Sequence, residues 1–135
     1  MKLTARSEYA LLALVYLARN SEISHIPVET IAKAQGIPPR FLEQILLSLK
    51  RAHVVRSVKG QRGGYSLARP ANEIFLADII RVFDGALAPT ESVSKNFYEA
   101  TPVEKEEGLL RVFRDIRDYT SNKMETTSLA DVVVS

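Results

Sequence analysis

Residues 28–65 read VETIAKAQGIPPRFLEQILLSLKRAHVVRSVKGQRGGY and divide into helix, tight turn, second helix and a basic two-stranded ribbon. The first helix is expected over Val28–Gln35, with Ile31 and the small Ala32 turned inward so that a second helix crosses closely. Gly36 follows where a left-handed residue closes a helix without a Cβ clash. Ile37 occupies the next position, from which an apolar side chain folds back on the helix it closes. Pro38 and Pro39 cannot continue that helix, but proline suits the first turn of the next. The second helix is expected over Pro39–Ala52. Its apolar residues Leu42, Ile45, Leu46 and Leu49 recur at i, i+3, i+4 and i+7, which predicts one buried stripe. The opposite face carries Arg40, Phe41, Glu43, Gln44, Leu47, Ser48 and Arg51. Two short helices joined by a tight turn containing Gly form a helix-turn-helix, whose second helix enters the DNA major groove.

The ribbon sharpens this reading. His53–Val58 is β-branched and suits a strand, Lys59–Gly64 is a Gly-rich basic turn, and Tyr65–Leu67 is the return strand. Gly60, Gly63 and Gly64 permit φ > 0 and close approach of a partner to the backbone. Lys59 and Arg62 at the tip would meet phosphate or a narrow minor groove. Taken alone, such a turn is an ordinary hairpin. Directly after a helix-turn-helix it makes a winged helix. The expected fold is therefore mainly α with a small β-hairpin wing.

Length and composition narrow the class. The chain has 135 residues and no Cys, so it carries no disulfide framework, no Cys-based metal site and no catalytic thiol. A hydrophobic content of 46% suffices for a core in one domain with an extension. The apolar run Tyr9–Ala18 is too short to span a bilayer and makes a poor signal peptide, so a cytoplasmic protein is expected. Net charge is only +2, but its sign is segregated: residues 1–70 carry +7 and residues 71–135 carry −5. A basic first half predicts a polyanion-binding surface, with uneven solvated charge as the plain alternative.

The remaining elements follow from periodicity. A first helix over Thr4–Arg19 has Thr4 as N-cap and Glu8 near the positive end of its dipole. Its apolar residues surround most of its circumference, which predicts a central position. Asn20–Pro27 reads as a loop, with His25 exposed in it. His53 lies at the end of the second helix of the helix-turn-helix, where capping is the simplest role. Ile74–Phe83 reads as a helix stopped by Asp84-Gly85. Residues 86–108 lack periodicity and read as a loop with a short helical turn near Val93–Tyr98. A long helix is expected over Val103–Met124, with a stripe of Leu109, Val112, Phe113, Ile116 and Tyr119 and with i, i+4 pairs Glu107–Arg111, Arg111–Asp115 and Arg114–Asp118. Ser128–Val133 echoes Phe75–Ile80, and both read as helix starts with an acid in the first turn.

Four segments are characteristic together: Met1–Thr4, Glu8–Leu11, Leu42–Leu46 and Val58–Ala68. With them the chain resembles the Rrf-two family of bacterial transcription regulators, which includes iron–sulfur, nitric-oxide and cysteine-metabolism regulators. The resemblance implies a winged helix-turn-helix over residues 1–85. It also implies a loop at 86–108 that holds a cluster in some relatives, and a dimerisation helix and tail over 109–135. In the cluster-binding relatives three Cys lie in that loop. Here there are none, and Ser92 stands about where the first would be, so no cofactor and no metal is expected. The resemblance further implies a homodimer, paired through Leu109, Val112, Phe113, Ile116 and Tyr119, on a palindromic double-stranded operator. Residues expected at DNA are Arg6, Tyr9, Pro39, Arg40, Phe41, Glu43, Gln44, Ser48, Arg51, Ser57, Lys59, Gly60, Gln61, Arg62 and Gly63. For Tyr9 a core position competes with this role. The family usually has Gly at the position of His53, Thr at that of Phe75 and Arg at that of Lys59.

An enzyme is the poorer reading. Two isolated His, no Cys and no phosphate-loop pattern leave no visible nucleophile or metal site. Glu91, Glu99, Glu104, Glu106 and Glu107 lack the fixed spacing of a metal site and read as a solvated acidic loop. A protein-interaction module of the same fold with little DNA binding is the other alternative, controlled by a partner protein. Regulation by a small molecule or a protein partner at the 86–108 loop is expected in place of a cluster, with constitutive binding set by abundance alone as the plain alternative.

Overall fold

The computed structural model of the chain describes residues 2–61, 63–85, 87–95 and 98–134. Helix α1 (Ala5–Arg19) begins at the expected cap, where the Thr4 hydroxyl accepts from the Ser7 N–H at 3.4 Å. Ala10, Ala13, Leu14 and Leu17 are buried, and α1 packs against elements from both ends of the chain. Its small residues allow that close approach from several sides. Helices α2 (Val28–Gln35) and α3 (Pro39–Arg51) follow, with Pro39 in the first turn of α3. Gly36 closes α2 at φ +66°, the Ile37 N–H reaches the Ala32 carbonyl at 2.9 Å, and the Ile37 side chain is buried.

The end of α3 differs from the expected strand. His53 is left-handed, at φ +61°. The His53 N–H bonds the Lys50 carbonyl at 3.0 Å and the Val54 N–H bonds the Leu49 carbonyl at 2.9 Å. This is the paired bonding of a Schellman closure, with Val54 and Leu49 both buried. His53 and Val54 therefore end the helix, and the strand begins only at Val55. A Cβ in the left-handed region costs about 1 kcal/mol. His53→Gly is thus expected to raise stability by about that amount. Urea unfolding checks this, and an unchanged midpoint would mean that the imidazole offsets its own backbone strain.

Strands β1 (Val55–Val58) and β2 (Gly64–Leu67) pair antiparallel, Val55 opposite Leu67 and Val58 opposite Gly64. The segment expected to be a plain loop before α2 contributes to this sheet. Ile26 bridges Tyr65 through two reciprocal N–H···O bonds of 2.8 Å, so β2 has a partner on both edges. The close approach at the glycines is consequently to the protein's own backbone. A Cβ on Gly64 would stand 2.3 Å from the Ile26 carbonyl, and one on Gly63 would stand 2.3 Å from the Val58 carbonyl oxygen. Of the three wing glycines only Gly60 has a positive φ, +113°.

Helix α4 (Leu76–Phe83) starts two residues later than its periodicity suggests. Phe75 instead forms an antiparallel bridge with Ser128, and the Leu129 N–H bonds the Ile74 carbonyl at 2.9 Å. The two similar segments are indeed both helix starts. Asp78 accepts from the Phe75 N–H at 3.0 Å, and Asp131 from the Ser128 N–H at 2.9 Å. Phe75 has no oxygen to return that bond, whereas the Ser128 hydroxyl accepts from the Asp131 N–H at 3.2 Å. The bridge docks α6 (Leu129–Val133), and with it fully buried Leu129, against α1 and the turn at Ala71–Glu73.

The long helix is shorter at its start than expected. Pro102–Lys105 is a 3-10 turn, Glu106 is extended, and α5 runs Glu107–Thr126. A second 3-10 turn covers Glu91–Val93, and the helical turn expected over Val93–Tyr98 falls on Asn96 and Phe97, which lie outside the described residues. The i, i+4 ion pairs are replaced by Arg114–Glu107 at 3.0 Å and Arg117–Asp118 at 2.7 Å, while Arg81–Glu125 at 2.5 Å ties α4 to α5. Behind these contacts, Ala77, Ile80 and Leu87 form one small core with Met124 and Leu3. Ala88, Val93 and Leu110 form another with Val103 and Phe113. Phe113 is half-buried and packs against this second core, while Leu109, Val112, Ile116 and Tyr119 are exposed. No helix among the described residues is long and apolar enough to cross a membrane.

Candidate nucleic-acid interface

Helix α3 presents two faces. Leu42, Ile45, Leu46 and Leu49 are buried in the main core, which holds the helix rigidly. Arg40, Phe41, Glu43, Gln44, Leu47, Lys50 and Arg51 are exposed, and Ser48 is half-buried. Pro39 and the first turn stand clear of the core. The Phe41 ring meets Tyr9 of α1 edge-on, with centroids 5.4 Å apart at 81°. Tyr9 is half-buried there, so its packing role is real and it braces the first turn of α3. An edge-to-face pair of this kind contributes about 1 kcal/mol beyond burial.

The wing stands beside this face. Leu47 and Lys50 of α3 and Ser57, Lys59, Gly60 and Gln61 of the hairpin line one groove of about 530 Å³. Tyr65 turns into the same groove. Burial pushes its phenol up, and the Glu43 carboxylate pushes it further in the same direction. Arg62, expected at the tip, lies outside the described residues. The groove also brings in Lys50, which sequence reasoning passed over. Its signal was its position three residues after Leu47, on the same exposed row.

Arg6 lies elsewhere. Its guanidinium sits 5.3 Å from the centre of the Phe83 ring, over the end of α4. Beside it, Asp84 Oδ2 accepts from the Thr4 N–H at 3.1 Å and from the Ser7 hydroxyl at 2.8 Å. Burial raises that carboxyl, but the bonds from Thr4 and Ser7 outweigh it and hold the group below its ordinary value. The start of α1 is thereby fastened to the end of α4.

The segment after α4 is fastened to α5. Arg117 Nη1 donates to the Val93 carbonyl at 3.0 Å, and the Ser121 hydroxyl to the Leu87 carbonyl at 3.4 Å. Ser92 is already engaged: its oxygen accepts from the Thr101 N–H at 2.9 Å and lies 2.5 Å from the Thr101 hydroxyl. On the outer side of α5, Leu109 (49%), Val112 (52%), Ile116 (46%) and Tyr119 (74%) are exposed together.

Comparison with known proteins agrees with this geometry. Residues 3–135 match the Rrf2 family, described as an iron-dependent transcriptional regulator. The HTH-type transcriptional regulator Rv1287 of Mycobacterium tuberculosis is 39% identical over 132 residues, covering 98% of this chain and 81% of that protein. The structure of CymR, the global cysteine regulator of B. subtilis, superposes with a TM-score of 0.80 at 27% identity, covering 99% of this chain and 97% of that one. T. potens IscR superposes with a TM-score of 0.72 at 27% identity, covering 99% of this chain and 87% of that one. The iron of the family description finds no suitable donors in this chain. It has no Cys, and among the described residues no group of three or more His, Cys, Asp or Glu could hold a metal ion. The Ser92 hydroxyl is a hard, neutral donor where cluster iron prefers thiolate. With a helix-turn-helix beside a basic wing and a family match over nearly its full length, the chain belongs to the Rrf2 family of winged-helix transcriptional regulators.

Proposed function

We propose that this chain is a homodimeric, sequence-specific binder of double-stranded DNA. It represses transcription from a two-fold operator in the cytoplasm, without an iron–sulfur cluster. The observation that carries this reading is the α3 face. A helix fully anchored on one side offers Arg40, Glu43, Gln44 and Arg51 on the other, flanked by a wing with Lys59 at its turn. Glu43 has the chemistry to accept from cytosine N4, and Gln44 to pair with adenine. Arg40, Lys50 and Arg51 supply charge for phosphate. Control then comes from a small molecule or a protein partner.

Capture of genomic fragments by the purified protein, followed by binding titrations, tests the proposal directly. Nanomolar binding to one sequence at moderate salt, at least about 1,000-fold tighter than to random DNA, is the expected result. Equal weak binding to all sequences would favour a protein-interaction module instead. On the selected site, Glu43→Ala should relax base preference by about tenfold and barely change non-specific binding. A uniform loss on every sequence would remove Glu43 from base reading. Lys59→Ala should lower the salt slope by about 0.9 in log–log units, one phosphate's worth. A slope that does not move means that Lys59 stays clear of the backbone.

A further inference from the structure

The hairpin has a second face. Across the register, Arg56 pairs with Ser66 on the side opposite the Ser57–Tyr65 pair that faces the α3 groove. Arg56 and Ser66, with Asn20, Ser21, residues 23–26, Tyr65, Leu67 and residues 68–71, line a cleft of about 710 Å³. This is within the usual range for a small-molecule site. Its apolar lining includes Leu17, Leu67 and two side chains left unusually open for their size, Ile23 (47%) and Val58 (48%). Its charged lining is Arg56, Arg69 and the ionisable His25, with no Asp or Glu among the lining residues. Both guanidiniums are underused. Arg56 Nε reaches the Leu67 carbonyl at 3.4 Å, and Arg69 Nη1 reaches the Glu73 carbonyl at 3.4 Å. Arg69 Nε is buried and has no partner within the protein.

We propose that this cleft binds a small amphipathic anion, a carboxylate with a compact apolar body. Guanidinium presents parallel donors that match a carboxylate fork, and two of them with no Asp or Glu among the described lining residues favour an anion over a cation. The open Ile23 and Val58 side chains favour an apolar body over a bare inorganic ion. The cleft shares Ile26 and Tyr65 with the wing's own support, so an occupant alters how the wing is held. Its effect on DNA rests on the DNA-binding reading above. The effector site is then behind the wing, away from the 86–108 segment.

The probe is 4-methylpentanoate, followed by nuclear magnetic resonance of the full-length protein, with 4-methylpentan-1-ol as the uncharged control. Millimolar affinity, about −4 kcal/mol, is expected for so small an acid. Shifts should gather at Ile23, His25, Val58 and Ala71. The alcohol should bind about tenfold more weakly, and Arg69→Gln should lose the acid by at least tenfold with its fold intact. If Arg69→Gln fails to fold, Arg56→Gln carries the same expectation. Absence of shifts, equal binding of acid and alcohol, or shifts centred on Leu109–Tyr119 would each overturn the site. In a separate arm, the acid should change operator affinity for the wild type and leave Arg69→Gln unaffected. An unresponsive wild type would remove the regulatory role. A protein that binds no DNA at all would sink the function proposed above and leave the resonance data to decide the cleft.

Discussion

Ile116→Asp is expected to yield a monomer and to weaken binding to a two-fold operator by more than about 100-fold. Leu109, Val112, Ile116 and Tyr119 are spaced three, four and three residues apart, the interval of a coiled-coil seam. All four are exposed on a helix whose other side is already used: Leu110 and Ser121 are buried, and Phe113 packs on Val93 and Ala88. The stripe is left exposed by its own chain, and in the homodimer proposed above a second copy of the same helix covers it with matching spacing. Aspartate at its centre would face either the apolar seam or its own symmetry mate, and both are unfavourable. Because Ile116 is 46% exposed within one chain, the substitution should leave the monomer folded. Light scattering gives the mass, and fluorescence anisotropy gives the affinity. A variant that remains dimeric and binds normally would place the interface elsewhere. The separation of the recognition helices should be about 34–36 Å, one turn of DNA, which fixes the half-site spacing to look for.

The helix-turn-helix was readable because its signals are local. Gly36, Pro38 and Pro39 punctuate the chain within four residues, and the α3 stripe repeats at helical spacing inside one helix. The Thr4 cap and the acid three residues after Ser128 belong to the same class. What escaped reading depends on distant pairing or on one backbone angle. Ile26 joins the sheet through a residue 39 positions away, and Phe75 bridges Ser128 across 53, with nothing in either local pattern to announce it. The strand propensity of His53 and Val54 lost to closure of the helix before them, because Val54 buries its side chain at the α3 end. Phe113 joins the α5 stripe by its spacing of four residues from Leu109, and it also packs against the small core at Ala88 and Val93. Which neighbour it meets depends on where residues 88–93 fold, and their sequence has no period. In the interface itself, the α3 face followed from the buried stripe. Lys50 and the Tyr65–Glu43 coupling required the wing's placement against α3.

That placement makes Gly64→Ala a severely disruptive single methyl, at a point where the wing meets the segment before α2. A two-stranded hairpin is marginal in water, and this one is held by its second edge, where Ile26 and Tyr65 exchange two 2.8 Å bonds. A Cβ at position 64 would lie 2.3 Å from both the carbonyl carbon and the carbonyl oxygen of Ile26 and 2.7 Å from Pro27 nitrogen. All three atoms are backbone, so no rotamer change relieves the overlap, and the strand must retreat from residues 26–27. Overpacking of this kind costs about 3 kcal/mol, at the upper end of its usual range. Pro27 also immediately precedes α2, so the displacement reaches the helix-turn-helix as well as the wing. The expected result is a lower thermal midpoint, by roughly 10 °C. Amide exchange should accelerate at Ile26 and Tyr65, and operator affinity should fall even at temperatures where the chain remains folded. Gly60→Ala provides the contrast: nothing lies within 4 Å of its Cβ, and it meets only the strain of φ +113° at an exposed turn. A Gly64→Ala protein with native exchange at Ile26 would show that the sheet's third partner contributes little, and that the wing is held by α3 alone.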